Sequence, residues 1–437
     1  MGQEDWDSLS QLHQLAGPPG RRAGGGLESI LHHEGDPRGD EVPPCSHQAE
    51  AISGGQSGCV LTQHVTMRLA WILQHCAEVR RAVREGTCCF GTIDTWLLYK
   101  LSKGAVHATD YSNASTTGIF DSYQMCWSEF LCQVVSLPLS IFPTVENTGH
   151  NYGSSDASIF GVPIPIMSVM ADQQAAMFGE CCFDTGDVKI TMGTGTFMDI
   201  NTGNKPHTSV AGLYPLVGWK IGPEVVYLAE GNAADTGTAI KWAQKLDLFS
   251  DVQETEAMAS SVKDSDGVCF VPSFSGLQAP LNDPKACASF MGLKPSTTKS
   301  HLVRAILESV AFRNKQLYDI MLRETHIPIT RIRADGGVCT NDFIMQLTAD
   351  LLGKKIDRPS HFDMSSLGAA FVAGLAVGFW KNQEELKRLR TTDRMFLPNP
   401  IRASTGPSCR TGRTLCSALF TGTASPDSST QAGGALH

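Results

Sequence analysis

The sequence predicts an α/β fold with helices layered on strands, and three observations lead there. Short stretches that alternate apolar and polar residues, such as Asp187-Val188-Lys189-Ile190-Thr191, recur between longer stretches with helical spacing. Two of these strand patterns run straight into glycine turns, Gly193-Thr194-Gly195 and Asp335-Gly336-Gly337. A third, Ile166 to Val169, ends just before Ala171-Asp172-Gln173. Strands that end in glycine turns and polar residues place a ligand at their C-terminal edges, the usual arrangement in layered α/β proteins.

Taken in order, residues 1–58 are punctuated by Pro18-Pro19-Gly20, Gly24-Gly25-Gly26 and Pro43-Pro44, too often for a packed element, and are expected to be disordered. Met67 to Val83 carries Leu69, Ile72, Leu73, Cys76 and Val79 at helical spacing, and Thr92 to Leu101 reads as a second helix. Asp94 and Asp110 read as helix caps. Ile166 to Val169 reads as a short buried strand entered through Pro165, where a missing N–H is tolerated. Val225 to Ala229 reads as a strand ending at Glu230-Gly231, with a helix beginning at Ala239. Ser296 to Thr298 supply the cap of a long helix that gathers Leu302, Ala305, Ile306 and Val310 on one face. Arg331 to Ala334 is the strand before the second glycine turn, and Phe343 to Leu352 the helix after it. Residues 399–437, rich in Ser, Thr, Gly and Ala, read as a disordered tail. The ordered middle divides into domains over 59–180 and 181–398.

Composition narrows the function. The chain has 437 residues, enough for two or three cores, and a net charge of −9 with no basic stripe, which argues against a nucleic-acid partner. Its 14 cysteines show no metal-ligand spacing. The adjacent pairs Cys88-Cys89 and Cys181-Cys182 read as buried thiols acting as small hydrophobes. No secretory signal is legible at Met1, so a reducing, cytoplasmic setting is expected. The most apolar stretch, Leu367 to Trp380, is too short and glycine-rich to span a bilayer.

The chemistry lies in the strand-end residues. Asp172 can accept a hydroxyl proton while Gln173 holds the alcohol by hydrogen bonds. A Gly-Thr-Gly turn lets backbone N–H groups and one hydroxyl approach a phosphate closely, because glycine carries no Cβ. A glycine turn leading into a helix adds donors where the helix dipole favours an anion.

Together these residues resemble the FGGY carbohydrate kinases, and among them the glycerol kinases. The likeness spans about residues 60–395. It rests on Phe90 to Leu98, Thr109 to Ser115, Ala171 to Gln174 and Gly193 to Phe197, running on to Asn201-Thr202-Gly203. A second signature follows, with Ala288, Phe290, Gly292 and Leu293, then His301 to Glu308. Asp335-Gly336-Gly337 to Asn341, and Leu367 to Trp380, complete it. The resemblance implies two actin-like (RNase H-type) α/β domains flanking an ATP cleft, hinged near residues 178–187, with the N-terminal domain incomplete.

By position, the resemblance makes Asp172 the catalytic base and, through Mg-ATP, a metal contact. Gln173 and Tyr111 become alcohol-site residues and Phe197 an apolar wall. Thr194, Gly237 and Lys241 fall on the phosphate side of the ATP site, and Gly337 and Asn341 nearer the nucleoside. Tyr111 and Phe197 also suit a core, and Asp335 a plain turn. The implied reaction moves the ATP γ-phosphoryl group to glycerol, giving sn-glycerol 3-phosphate, with ATP and Mg²⁺ as cofactors. Glycerol and ATP are the implied partners, and homo-oligomerisation stays open.

The sequence also departs from the family. Residues 1–85 hold no Asp-x-Gly-Thr phosphate loop, and no Arg-Glu pair precedes the helix at Met67. Thr116 and Cys287 stand at family arginine positions. Two alternatives therefore accompany the glycerol kinase reading. One is a catalytically impaired form acting as a binding or regulatory protein; the other is a kinase for another small polyol or sugar.

Overall fold

The structure, a computed structural model, describes residues 65–399. The readings made for residues 1–58 and for the tail from 400 lie outside the described residues.

In chain order the elements used below begin with helices α1 (Val65–His75), α2 (Ala77–Arg84) and α3 (Ile93–Leu101). Strand β1 (Ala108–Asp110) leads into α4 (Tyr111–Ser115), and β2 (Thr144–Glu146) and α5 (Asp172–Gly179) follow. Next come four strands, β3 (Asp187–Met192), β4 (Thr196–Gly203), β5 (Tyr214–Ile221) and β6 (Glu224–Ala233). Helices α6 (Gly237–Lys245) and α7 (Lys299–Thr325), strand β7 (Arg331–Asp335), helix α8 (Asp342–Leu352) and strand β8 (Ile356–Pro359) continue. Helix α9 (Met364–Ala376) and strand β9 (Thr392–Phe396) end the series.

The chain forms two compact units that interleave along the sequence. The first takes residues up to Thr185, Asn201–Glu230 and Met364–Leu389; the second takes Gly186–Ile200, Gly231–Asp363 and the residues from Arg390.

In the first unit β1 pairs parallel with β2, and β5 antiparallel with β6. One of its cores gathers Met177, Phe178, Cys181 and Cys182 with Trp219, Phe371 and Leu386. Phe178 and Trp219 meet edge to face, with ring centroids 5.1 Å apart. Helices α5 and α9 cross where glycine faces backbone. A Cβ on Gly368 would lie 1.7 Å from the Ala175 carbonyl oxygen, and one on Gly179 2.2 Å from that of Met364.

In the second unit the strand order is β9-β8-β7-β3-β4. Strand β7 lies parallel to both β3 and β8, and β4 runs antiparallel to β3. Helix α7 buries Val303, Ile306, Leu307, Val310, Leu317 and Met321 along one face. Thr298 and His301 close a reciprocal capping box at its start, where the sequence placed the cap.

Several elements differ from the sequence reading. The helix expected over Met67–Val83 breaks at Cys76, whose backbone is extended, and Arg80 donates to the Leu73 carbonyl across the break (3.2 Å). Ile166 to Val169 is not a strand. It exchanges backbone hydrogen bonds with Tyr152, Gly153 and Thr148 and is only half-buried. Strand β6 runs past Glu230-Gly231 to Ala233, and α6 starts at Gly237. Asp110 caps α4 as expected, whereas Asp94 lies inside α3 and accepts from Thr109 Oγ1 at 2.6 Å. Of the cysteine pairs, Cys181 and Cys182 are buried, but Cys88 is half-buried and Cys89 exposed.

Candidate active site

Tyr111, Asp172 and Gln173 belong to the first unit, while Thr194, Phe197, Gly237, Lys241, Gly337 and Asn341 belong to the second. The two groups are built separately.

In the first unit, Asp172 is the first residue of α5 and its side chain is exposed. Its Oδ1 accepts the Gln173 N–H at 2.8 Å, and Gln173 is half-buried. Two hydroxyls hold the backbone on either side. The Ala171 N–H donates to Ser112 Oγ (2.9 Å), and Ser365 Oγ from α9 donates to the Asp172 carbonyl (2.9 Å). Tyr111 opens α4 and is half-buried, with its ring 5.9 Å from Phe120 edge to face. The Lys220 ammonium stands 4.3 Å from the Tyr111 ring centroid, a cation–π distance.

In the second unit, Gly193-Thr194-Gly195 is the three-residue tip of the β3–β4 hairpin, with Met192 opposite Thr196. Helix α6 starts directly against this tip. The Gly193 carbonyl accepts the Gly237 N–H (3.0 Å), and the Thr194 carbonyl accepts those of Thr236 (3.2 Å) and Thr238 (3.1 Å). These amides are therefore engaged by the hairpin. Gly237 serves close approach, because a Cβ there would sit 2.4 Å from the Gly193 oxygen. Thr194 and Lys241 are exposed. Phe197 is half-buried on β4, opposite Thr191.

The second glycine turn lies beside the first because β7 is in register with β3, with Asp335 opposite Thr191. Gly336 has φ of 90°, a left-handed conformation that suits glycine, and its Cβ would fall 2.6 Å from the Met192 carbonyl oxygen. Beyond Gly193 and Gly337, by contrast, a Cβ would meet nothing within 4 Å. The two turns thus share one sheet edge and leave open space above two glycines. A short 3₁₀ turn, Gly337–Thr340, precedes α8, so the helix does not begin at the glycines. Asn341 caps α8 instead: its side chain accepts the Ile344 N–H (3.1 Å) and its Nδ2 donates to Thr255 (3.1 Å).

Beneath the turns lies a buried charged group that the sequence reading did not single out. Lys189 and Asp199 have no exposed side-chain surface and pair at 3.0 Å. Lys189 Nζ also donates to Thr191 Oγ1 (2.9 Å), and Thr191 donates to Asp335. Burial pushes the Asp335 carboxyl above its ordinary range, opposed by the Lys189 ammonium and the Thr191 hydroxyl. A signal was available. Lys189 and Asp199 are opposite charges equidistant from Thr194, so a hairpin centred there must face them.

Among the described residues no group of three or more His, Cys, Asp or Glu is placed to hold a metal, and no helix is long and apolar enough to cross a membrane. A magnesium ion that arrives with a nucleotide needs only one or two protein carboxylates, the phosphates and water supplying the rest. The exposed carboxylate of Asp172 fits that requirement.

Comparison with known proteins decides the family. The N-terminal domain of the FGGY family of carbohydrate kinases matches residues 49–179, and its C-terminal domain matches residues 188–377. The chain belongs to the FGGY family of carbohydrate kinases. Glycerol kinase 5 of Danio rerio is 81% identical over 337 residues, which make up 77% of this chain and 64% of that protein. Glycerol kinase 5 of Homo sapiens is 69% identical over 337 residues, with the same two shares. The chain therefore spans 64% of the length of these two relatives. The crystal structure of Plasmodium falciparum glycerol kinase with ADP superposes with a TM-score of 0.76 at 30% identity, over 90% of this chain and 76% of that one. The FGGY likeness establishes the two-domain, actin-like α/β fold class that the motifs implied.

Proposed function

We propose that this FGGY chain acts as an ATP-dependent glycerol kinase, transferring the γ-phosphoryl group to glycerol in a reducing, cytoplasmic setting. The support is its identity to proteins named glycerol kinase. The observation that carries the mechanism is Asp172, exposed at the head of α5 with its backbone held on both sides by hydroxyls. In this reading Asp172 takes the proton of the terminal hydroxyl as that oxygen attacks the γ-phosphorus, and the bond to the β,γ-bridging oxygen breaks to release ADP. Gln173 and Tyr111 orient the alcohol, with Phe197 as its apolar wall. Thr194, Lys241 and the open turns at Gly193 and Gly337 hold the nucleotide, with Gly237 letting α6 close on the first turn and Asn341 fixing the helix beyond. Magnesium, bound with the nucleotide, supplies charge neutralisation of the phosphates.

The test is Asp172→Asn in the 437-residue chain, assayed for sn-glycerol 3-phosphate formed from ATP and glycerol. Turnover should fall by about 10²–10⁴-fold, the usual loss on removing a general base. Undiminished turnover overturns the assignment, and a panel of polyols and sugars in the same assay fixes the acceptor.

One observation favours a second reading, a binding or regulatory protein. Helix α3 leaves Ile93 75% exposed and Leu97 47% exposed, an apolar face of the kind that recruits partners. Nucleotide binding without any turnover by the wild-type chain would decide for it.

A further inference from the structure

We propose that Asp110, which the mechanism above does not use, is the positioning residue of the alcohol side: through Ser112 and Thr148 it aligns Asp172, Tyr111 and Lys220. The inference rests on the kinase reading and deepens it.

Asp110 ends β1, is fully buried, and accepts from five donors. They are the N–H groups of Ser112 (3.0 Å) and Asn113 (2.9 Å), Asn113 Nδ2 (2.8 Å), and the hydroxyls of Ser112 and Thr148 (2.8 Å each). A helix cap needs only the first two. Of the remaining three only Thr148 lies outside the cap, and the two hydroxyls each pass on a second bond. Ser112 Oγ accepts the N–H of Ala171, 59 residues away and immediately before Asp172. Thr148 Oγ1 accepts the N–H of Lys220 (3.1 Å), whose ammonium stands over the Tyr111 ring.

Direction is what makes the carboxylate necessary. Burial pushes the Asp110 carboxyl up, opposed by its donors. In the ionised form that the five donors favour it only accepts, so both hydroxyl protons point at it and both hydroxyls turn their lone pairs outward. Those lone pairs then receive the Ala171 and Lys220 amides. An amide in place of Asp110 brings an NH₂ group that donates to one hydroxyl, so that hydroxyl's own proton loses its acceptor in a buried site and the oxygen shifts away from the backbone N–H beyond it. One buried group thereby sets the start of α5, the start of α4 and the end of β5.

Asp110→Asn tests this directly, with Ser112→Ala as a second variant should the first fail to fold. Ser115→Ala is the control: Ser115 is buried on the same helix and accepts the Val217 N–H (3.1 Å), but has no bond to Ala171. Steady-state kinetics with ATP and glycerol should show kcat lowered by about 10²-fold in Asp110→Asn and Ser112→Ala, as expected for a reacting group misplaced by about 1 Å, with KM for ATP unchanged. Ser115→Ala should lower the melting temperature yet keep kcat. A wild-type chain without turnover sinks the kinase reading and this role with it. Turnover in the wild type with kcat preserved in Ser112→Ala, or lost equally in Ser115→Ala, overturns the positioning role alone.

Discussion

Lys189 shows how much a single residue commits. Its ammonium is wholly buried, so its stability depends on Asp199 remaining opposite. Removing one partner of a buried ion pair costs about 3–5 kcal/mol, because the other charge stays behind unpaired. Lys189→Met is expected to lose about that much in urea unfolding, and Lys189→Met with Asp199→Leu to recover part of it, the buried Asp335 still lacking its ammonium. A double variant no more stable than the single one would show that the pair is not the cause. At Gly237 the constraint is steric. Gly237→Ala pushes a Cβ into the Gly193 oxygen, and should cost about 1–3 kcal/mol and weaken ATP binding, read by melting and by titration calorimetry. Asp156 gives a pH signature. Bonds from the Ser158 hydroxyl and N–H, then Lys103, lower its pKa to about 2 from an ordinary 3.8. A depressed carboxyl contributes stability above 3.8 that is lost as the pH falls through about 2. Asp156→Asn should flatten that acid limb by lowering stability at neutral pH towards its acid value, read by chemical denaturation across the acid range.

At the level of elements, the crossing of α5 and α9 holds the proposed base in place. Gly368→Ala would set a Cβ 1.7 Å from the Ala175 oxygen, so the helices must separate. Such overpacking costs typically about 1–3 kcal/mol, and here the upper end is expected in chemical denaturation. Turnover should fall with it, since Ser365 on α9 bonds the Asp172 carbonyl. Elements with internal signals were legible in the sequence. The Thr298 cap, the β3 alternation and the glycine turns all fall where local chemistry put them. Ile166 to Val169 was misread because a strand is defined by its neighbours, and this apolar run has only scattered backbone partners. Helix α8 starts at Asp342, next to the Phe343 expected, yet it does not follow directly from the glycine turn. Asn341 is a stronger helix cap than the glycines before it, and four residues of 3₁₀ turn absorb the difference.

For the molecule as a whole, family membership could be read from ordered motifs, each too weak alone. What could not be read is that the units interleave, because that depends on contacts between distant segments rather than on any local pattern. The consequence concerns synthesis. The first unit takes its last segment from Met364–Leu389, so α5 leaves the ribosome long before the helix that must pack on it. A chain stopped after Asp363 should therefore expose the Phe178 and Trp219 core and bind a hydrophobic dye, whereas the full chain should not. Until Met364–Leu389 has been made, the first unit lacks the helix that closes its interior, and that interval is when nascent molecules would most need a chaperone.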